Sequence, residues 1–183
     1  MRRLPGMILI AGTGRNSGKT TLACAIIRKF HGTIPLVALK ISPHRHTEIT
    51  RGNVLINEPD VYIEEETDPA TGKDSARMLA AGADRSFFIM ASDDRLPKAI
   101  DTVMGLLDEG TFLVCESGGL RQWVEPGEFF ITTRKETGDP PAMLRYSIYS
   151  YHRVEFDGTI GFDISRIGHF KDAWKIKSNV DTI

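Results

Sequence analysis

The sequence predicts an α/β domain built on a mostly parallel central sheet with helices on both faces. Short apolar runs, typical of strands buried on both sides, alternate along the chain with amphipathic helix patterns. The runs occupy residues 7–11, 36–39, 87–90, 112–115 and 129–131. Strands and helices that alternate in this way form parallel sheets through right-handed crossovers. The length of 183 residues fits one domain over residues 1–183, since a domain averages about 150 residues.

The first strand and the first helix are the clearest elements. The strand at residues 7–11 leads into a glycine-rich loop, and the helix is expected to begin near Lys19. Leu22, Ile26 and Phe30 recur at four-residue spacing and so share one face of that helix. The segment therefore predicts the order strand, glycine loop, helix.

Two further helices are predicted in the middle of the chain. One covers residues 74–81 with Asp74 as its N-cap, and the other covers residues 97–108. Beyond Arg134 the patterns weaken. The C-terminal part, residues 134–183, carries a helix pattern over 141–149, a strand pattern over 154–156 and an apolar tail expected to pack back on the domain.

An insertion follows the second strand and covers residues 41–73. A segment of this length without a helix pattern is usually functional or mobile. Apolar runs at 54–56 and 61–63 flank a turn signal at residues 58–60, where a proline suits the second position of a type I turn. We expect an exposed hairpin here.

Composition and charge exclude several classes of protein. Hydrophobic residues make up 41% of the chain, too many for a disordered protein. The net charge of −1 gives no general attraction to nucleic acid or to an anionic membrane. No stretch approaches the ~20 apolar residues of a membrane span, and the run at 7–11 is shorter than the roughly 7 to 15 residues of an export signal. Because Cys24 and Cys115 suggest no disulfide framework, we expect a cytoplasmic protein.

The glycine-rich loop predicts a phosphate site, because its backbone N–H groups and the positive helix end can bind phosphate oxygens. Its residues approach the P-loop pattern G-x-x-x-x-G-K-[ST]: Gly14, Arg15, Asn16, Ser17, Gly18, Lys19, Thr20 and Thr21. The first glycine of the pattern falls at Thr13, which stands between two glycines. Lys19 is expected to reach the β- and γ-phosphates of a nucleoside triphosphate, and Thr20 to bind Mg²⁺. The alternative is a plain turn with a solvated lysine.

An acidic turn and a strand-end lysine are the other candidates. Glu116 closes a buried strand, so its carboxylate can hold the water shell of Mg²⁺, and the N–H groups of Gly118 and Gly119 can approach a γ-phosphate. Lys40 ends the second strand, at the edge where ligands bind in open α/β sheets, although such lysines are often merely exposed. His44 and His46 are most simply solvated loop histidines.

These segments together resemble the molybdopterin-guanine dinucleotide biosynthesis protein B family, a branch of the P-loop NTPases related to dethiobiotin synthetase. The resemblance covers roughly residues 7 to 125. Its segments are the loop from Gly14 to Leu22, Lys40, the segment from Gly72 to Arg77 followed by Ala81 to Ala83, and the turn from Glu116 to Leu120.

The resemblance implies a GTP-binding, weakly hydrolysing homodimer that assists the nucleotidyltransferase attaching GMP to molybdopterin. In that role Lys40 and Asp74 face the γ-phosphate or a second substrate. No [NT]-K-x-D motif for reading a guanine base occurs in the sequence, so both GTP and ATP remain candidate ligands. The apolar edges of the hairpin also favour a homodimer, because they need covering.

Three functions remain open at this point. The first is an accessory GTPase-like protein of molybdenum cofactor maturation. The second is a self-sufficient kinase or ligase of the dethiobiotin synthetase type, in which Lys40 and residues 41–73 bind the acceptor. The third is an interaction module that binds nucleotide without useful turnover.

Overall fold

The computed structural model describes residues 1–43, 52–135 and 141–177. The strands are β1 (Arg2–Gly12), β2 (Leu36–Ser42), β3 (Asn53–Asn57), β4 (Val61–Glu65), β5 (Arg85–Ala91), β6 (Phe112–Glu116), β7 (Val124–Arg134), β8 (His152–Phe156), β9 (Ile160–Gly161), β10 (Ile167–Phe170) and β11 (Ala173–Ile176). The α-helices are α1 (Lys19–Phe30), α2 (Asp74–Ala80) and α3 (Leu96–Met104).

One large sheet organises the described chain, in the order β3-β4-β5-β2-β6-β1-β7-β8-β9. The six strands from β5 to β8 in this order are parallel, while β4 runs antiparallel to β5, β3 to β4, and β9 to β8. The predicted α/β class with a mostly parallel sheet is confirmed. Since parallel strands share a direction, their carboxyl ends lie along one edge of the sheet, and the candidate site is at this edge.

Apolar side chains cover both faces of the sheet, so the prediction of helices on both faces is confirmed. Ala99, Ile100 and Val103 of α3 pack on one face with alternate residues of the central strands. The other face is covered by α1 and by Met78 of α2. The central strand β1 contributes to both layers, as its uninterrupted apolar run predicts.

The helix bounds differ from the sequence prediction at two points. α3 ends at Met104 rather than at residue 108, because Gly105 follows and Leu106 and Leu107 donate to carbonyls three residues back, which tightens the chain into turns. Asp74 is not the N-cap of α2. Lys73 occupies that position without a side-chain cap, and Asp74 is the first helical residue.

The predicted exposed hairpin is only half correct. β3 and β4 do pair as an antiparallel hairpin, but β4 also pairs with β5 and so belongs to the main sheet. Val61 and Ile63 are buried in the core, whereas Val54 and Leu55 on the edge strand β3 are exposed. The apolar run of β4 was a buried-strand signal, and only β3 lies on the surface.

Residues 141–177, the described stretch near the C-terminal end, pack back on the domain, as predicted. The expected helix is a shorter 3₁₀ segment, Pro141–Tyr146. The hairpin of β10 and β11 places Trp174 in the core, where its indole N–H donates to the Gly6 carbonyl at 2.9 Å. The rings of Phe30 and Phe112 pack edge-on against it. None of the helices in the described ranges combines the length and apolar character that a membrane crossing needs.

Candidate functional site

A cleft of about 890 Å³ opens at the carboxyl edge of the sheet. It lies between the loop after β1, the ends of β2 and β6, and the start of α2. The predicted site residues that line it are Gly14, Arg15, Asn16, Ser17, Gly18, Lys19, Thr20, Thr21, Lys40, Asp74, Glu116 and Gly118. Segments far apart in the sequence thus meet at one place, as the strand-end argument predicts.

The glycine-rich loop is tied to the neighbouring strand β7. Ser17 is buried, and its hydroxyl donates to the Gly14 carbonyl at 3.1 Å and shares a hydrogen bond of 3.0 Å with the Thr132 hydroxyl. Asn16 and Gly18 both have positive φ, 57° and 89°, which turns the chain sharply before α1 begins. The loop therefore has a fixed shape before any ligand arrives.

Gly12 explains the departure from the P-loop pattern at position 13. A Cβ at Gly12 would lie 2.4 Å from the Ser17 hydroxyl oxygen and 2.7 Å from that of Thr132. A Cβ at Gly14 would meet nothing within 4 Å. The position that requires a glycine is therefore Gly12, at the end of β1, because a side chain there would clash with Ser17 and Thr132. A side chain at position 13 is tolerated, so threonine can stand there.

Lys19 lies across the loop that precedes it. Its ammonium donates to the Gly14 carbonyl at 2.7 Å and lies 3.5 Å from the Ser17 hydroxyl. Burial lowers the pKa of Lys19, while the nearby Glu116 carboxylate opposes that shift. A half-buried cation beside a loop of peptide N–H groups favours an anionic ligand.

Thr20 and Glu116 form the floor of the cleft. The Thr20 hydroxyl donates to Glu116 Oε2 at 2.7 Å, and the Glu116 side chain is only 2% exposed. Glu116 is the last residue of β6, the strand between β1 and β2. A buried carboxylate needs partners, and here a hydroxyl supplies one of them.

Lys40 supplies the counter-charge. It is the register partner of Glu116 across β2 and β6, and its ammonium lies 2.5 Å from Glu116 Oε1 and 2.7 Å from Asp74 Oδ2. Burial alone would lower the pKa of Lys40, but the two carboxylates outweigh burial and raise it. Burial alone would raise the pKa of Asp74, but the hydrogen bond and charge of Lys40, together with Thr20 and Arg77, outweigh burial and lower that pKa.

The turn after β6 brings Gly118 to the cleft and leaves Gly119 behind it. The Ser117 hydroxyl accepts from the N–H groups of Gly119 and Leu120 at 3.3 and 3.2 Å. The Gly118 carbonyl accepts from the Tyr146 hydroxyl at 3.1 Å and from the Arg145 guanidinium. Because the Gly119 N–H already has a partner, Gly118 is the better placed of the two predicted glycines.

Phe156, Arg77 and Thr132 were not among the predicted site residues, although the first two line the cleft and the third contacts the loop. Phe156 ends β8 and lines the cleft, and Arg77 lines it from α2. Thr132 holds Ser17 from behind the loop. The first of them carried a usable signal, since Phe156 ends a strand at the same sheet edge as Lys40 and Glu116.

Metal-ligand clusters are absent from the described part of the chain, where three or more His, Cys, Asp or Glu residues never gather as a metal site. His44 and His46 lie outside the described residues. Cys24 and Cys115 are both buried and unpaired.

Comparison of the chain with protein-family models, with curated proteins and with solved structures found no match.

The ion-pair cluster predicts a specific loss of stability in the Lys40→Met variant. Removing the cation leaves Glu116 buried without its counter-charge, so we expect the free energy of unfolding to fall by about 3 kcal/mol near neutral pH. This loss lies at the low end of the range for breaking a buried ion pair, because the Asp74 side chain is 35% exposed and solvent screens its charge. Urea denaturation measures the change.

A matched variant and a pH series test the cause of that loss. Adding Glu116→Gln to Lys40→Met removes the unpaired charge and should restore part of the lost stability. The lowered pKa of Asp74 means that its stabilisation exists above the ordinary aspartate pKa and disappears as the pH falls through the folded-state value. The difference between wild type and Lys40→Met should therefore shrink at acid pH, and a constant difference would contradict the charge argument.

Proposed function

We propose that this chain is a P-loop protein that binds a Mg²⁺-nucleoside triphosphate through the loop from Gly14 to Thr21. The observation that carries the proposal is the half-buried Lys19 ammonium lying over a preshaped loop at the amino end of α1. Backbone N–H groups, the helix end and a cation together suit a chain of phosphates. GTP is the first candidate ligand and ATP the second.

The residues at the cleft floor suit Mg²⁺. Magnesium in nucleotide sites is held by one or two protein oxygens, with waters and phosphate oxygens completing its shell. Thr20 and Glu116 offer a hydroxyl and a carboxylate hydrogen-bonded at 2.7 Å, so these two would hold the ion. When bound, Mg²⁺ neutralises charge on the β- and γ-phosphate oxygens.

The proposed chemistry is slow hydrolysis by positioning and charge. A water attacks the γ-phosphorus, the bond to the bridging oxygen breaks, and the diphosphate and inorganic phosphate leave. Lys19 and Lys40 would stabilise negative charge on the phosphates, and Asp74 would orient Lys40 through their 2.7 Å contact. This role gives Lys40, Asp74 and Gly118 a place facing the γ-phosphate.

We propose the accessory role in molybdenum cofactor guanylation as the biological setting. It is supported by the resembling segments, because Lys40 and the Asp74 segment, distant in sequence, contact each other in the same cleft as the loop. The partner would be the nucleotidyltransferase that attaches GMP to molybdopterin.

A self-sufficient kinase or ligase is the second candidate. The observation that favours it is the reach of the cleft beyond the phosphate loop to Ser42, Pro43 and Arg77. The Arg77 side chain is half exposed there and pairs with Asp74 at 3.4 Å. An arginine at that end suits an anionic acceptor substrate.

The phosphate-loop proposal predicts a severe loss of binding in Lys19→Ala. Removing a charge-assisted phosphate contact commonly costs 1.5 to about 3 kcal/mol, so the Kd for Mg-GTP or Mg-ATP should rise roughly tenfold to 150-fold. Calorimetric titration measures it. Lys98→Ala, an exposed lysine on α3 across the sheet, is the matched control and should bind as wild type does. Unchanged affinity in Lys19→Ala would overturn the proposal.

The same titration with the Glu116→Gln variant distinguishes a role in Mg²⁺ binding from a role in phosphate binding. In EDTA the variant should bind nucleotide like wild type, because Glu116 does not touch the phosphates. Adding Mg²⁺ should then improve its affinity less than it improves wild type. An unaltered Mg²⁺ dependence would remove Glu116 from the metal site.

Turnover by the purified chain separates the accessory role from the enzyme. The accessory role predicts slow phosphate release that no small acceptor accelerates. The kinase or ligase alternative predicts many turnovers per minute on a carboxylate or amine acceptor without a second protein. In that case Arg77→Ala should raise the KM for the acceptor and leave hydrolysis by water intact. Acceptor-dependent turnover of this kind would refute the accessory role.

The edge strand β3 supports the homodimer that the sequence favours. Its Val54 and Leu55 are 46% and 40% exposed, and an exposed apolar edge strand favours pairing with a second strand. Light scattering at high micromolar concentration should give twice the mass of one chain. In Val54→Lys, a charge on the same edge should shift the protein toward monomer, and a wild-type monomer would contradict the proposal.

A further inference from the structure

Among the described residues that line the cleft, Phe156 is the one aromatic side chain, and it has no role in the phosphate or metal chemistry. It is the last residue of β8, which lies parallel to β7, so it reaches the same sheet edge as the phosphate loop. Val154, two residues earlier and on the same face, is fully buried beneath α1. Phe156 continues that face past the end of the core and lines the cleft, half-buried.

The ring is held against the loop at the start of α1. A Cβ added at Gly18 would lie 2.5 Å from Phe156 Cγ and 2.6 Å from Cδ2, so the ring packs directly on the glycine backbone. Gly18 immediately precedes Lys19, the first residue of the helix. Within the described ranges, no second aromatic ring is stacked on Phe156. Its position is therefore fixed by the loop, while part of the ring remains open to the cleft.

We propose that Phe156 is the stacking platform for the nucleobase, so that the cleft selects a nucleoside triphosphate over a bare polyphosphate. This inference rests on the proposed function. Phosphates bound by the loop and the α1 end leave the nucleoside directed away from Lys19, and the flat face beside Gly18 suits a base. Stacking on an aromatic ring tolerates every base, because each base has a π-face.

Polar groups lie next to this platform. Asp157 follows Phe156, and its carboxylate accepts from the Thr159 hydroxyl at 2.8 Å and lies 3.5 Å from the Lys135 ammonium. These groups can meet the polar edge of a base or a ribose hydroxyl, while the ring contacts its face. The platform therefore explains how a base is held in a sequence that lacks an [NT]-K-x-D motif.

Titration with three ligands tests the platform: Mg-GTP, Mg-ATP and Mg-tripolyphosphate, each against wild type, Phe156→Leu and Phe156→Tyr. Phe156→Leu should lose about tenfold in affinity for both nucleotides and bind tripolyphosphate as wild type does. Phe156→Tyr should keep wild-type affinity for all three, because its ring is retained. Equal weakening toward tripolyphosphate would mean that Phe156 only supports the loop, and unchanged nucleotide affinity would also overturn the inference.

The outcomes separate this inference from the proposed function. If wild type binds none of the three ligands, the phosphate site itself fails. If it binds tripolyphosphate as tightly as the nucleotides, the phosphate site stands and the platform fails.

A fluorescent variant gives a second measurement that does not depend on Phe156→Leu folding. In Phe156→Trp, the added indole emission should be quenched by nucleotide and unaffected by tripolyphosphate. Quenching by neither ligand, with both bound, would overturn the inference.

Discussion

The cation shared by Glu116 and Asp74 is the interaction on which the rest of the site depends. Lys40 joins the ends of β2 and β6 to the start of α2, with contacts of 2.5 and 2.7 Å. Glu116 is buried, so without this cation a carboxylate would remain uncompensated beneath the cleft. The balance of one cation against two carboxylates is thus part of the fold. A ligand that adds or removes charge in the cleft must do so beside this cluster.

The glycine-rich loop depends on this floor through Thr20. Its hydroxyl binds the same carboxylate that Lys40 neutralises, so the first turn of α1 and the end of β6 are fixed relative to each other. On the opposite side, Ser17 and Thr132 attach the loop to β7. The loop is therefore held from two strands that flank β1, which favours a preorganised site that loses little entropy on binding.

The sequence predicted the site better than it predicted the sheet's outer parts. Glu116 and Lys40 could be brought together from sequence because both end apolar runs, and parallel strands share an edge. β4 was misjudged because turn chemistry at residues 58–60 indicates a hairpin but says nothing about a third strand beside it. β4 also pairs with β5, a strand that lies beyond α2 in the sequence, because this pairing buries Val61 and Ile63.

Two other features, the N-cap of α2 and the contact of Phe156 with the loop, could not be predicted from local sequence rules. The capping rule predicted Asp74 as the N-cap of α2, but its carboxylate pairs with Lys40, and this tertiary contact prevailed over the local preference. Phe156 ends a short strand pattern, which places it at the same sheet edge, but no spacing rule reveals that its ring packs on the bare backbone of Gly18.

The packing of Trp174 has a consequence for how the chain folds. Its indole N–H bonds to the carbonyl of Gly6, 168 residues away, and its ring lies between Phe30 and Phe112. The layer beneath α1 therefore cannot close until the chain has been synthesised through Trp174. Contacts of such separation slow folding, because a large loop must be ordered before the contact forms. Until that moment the rings of Phe30 and Phe112 lack the Trp174 ring that packs against both, and a chain paused before β11 exposes apolar surface that favours aggregation.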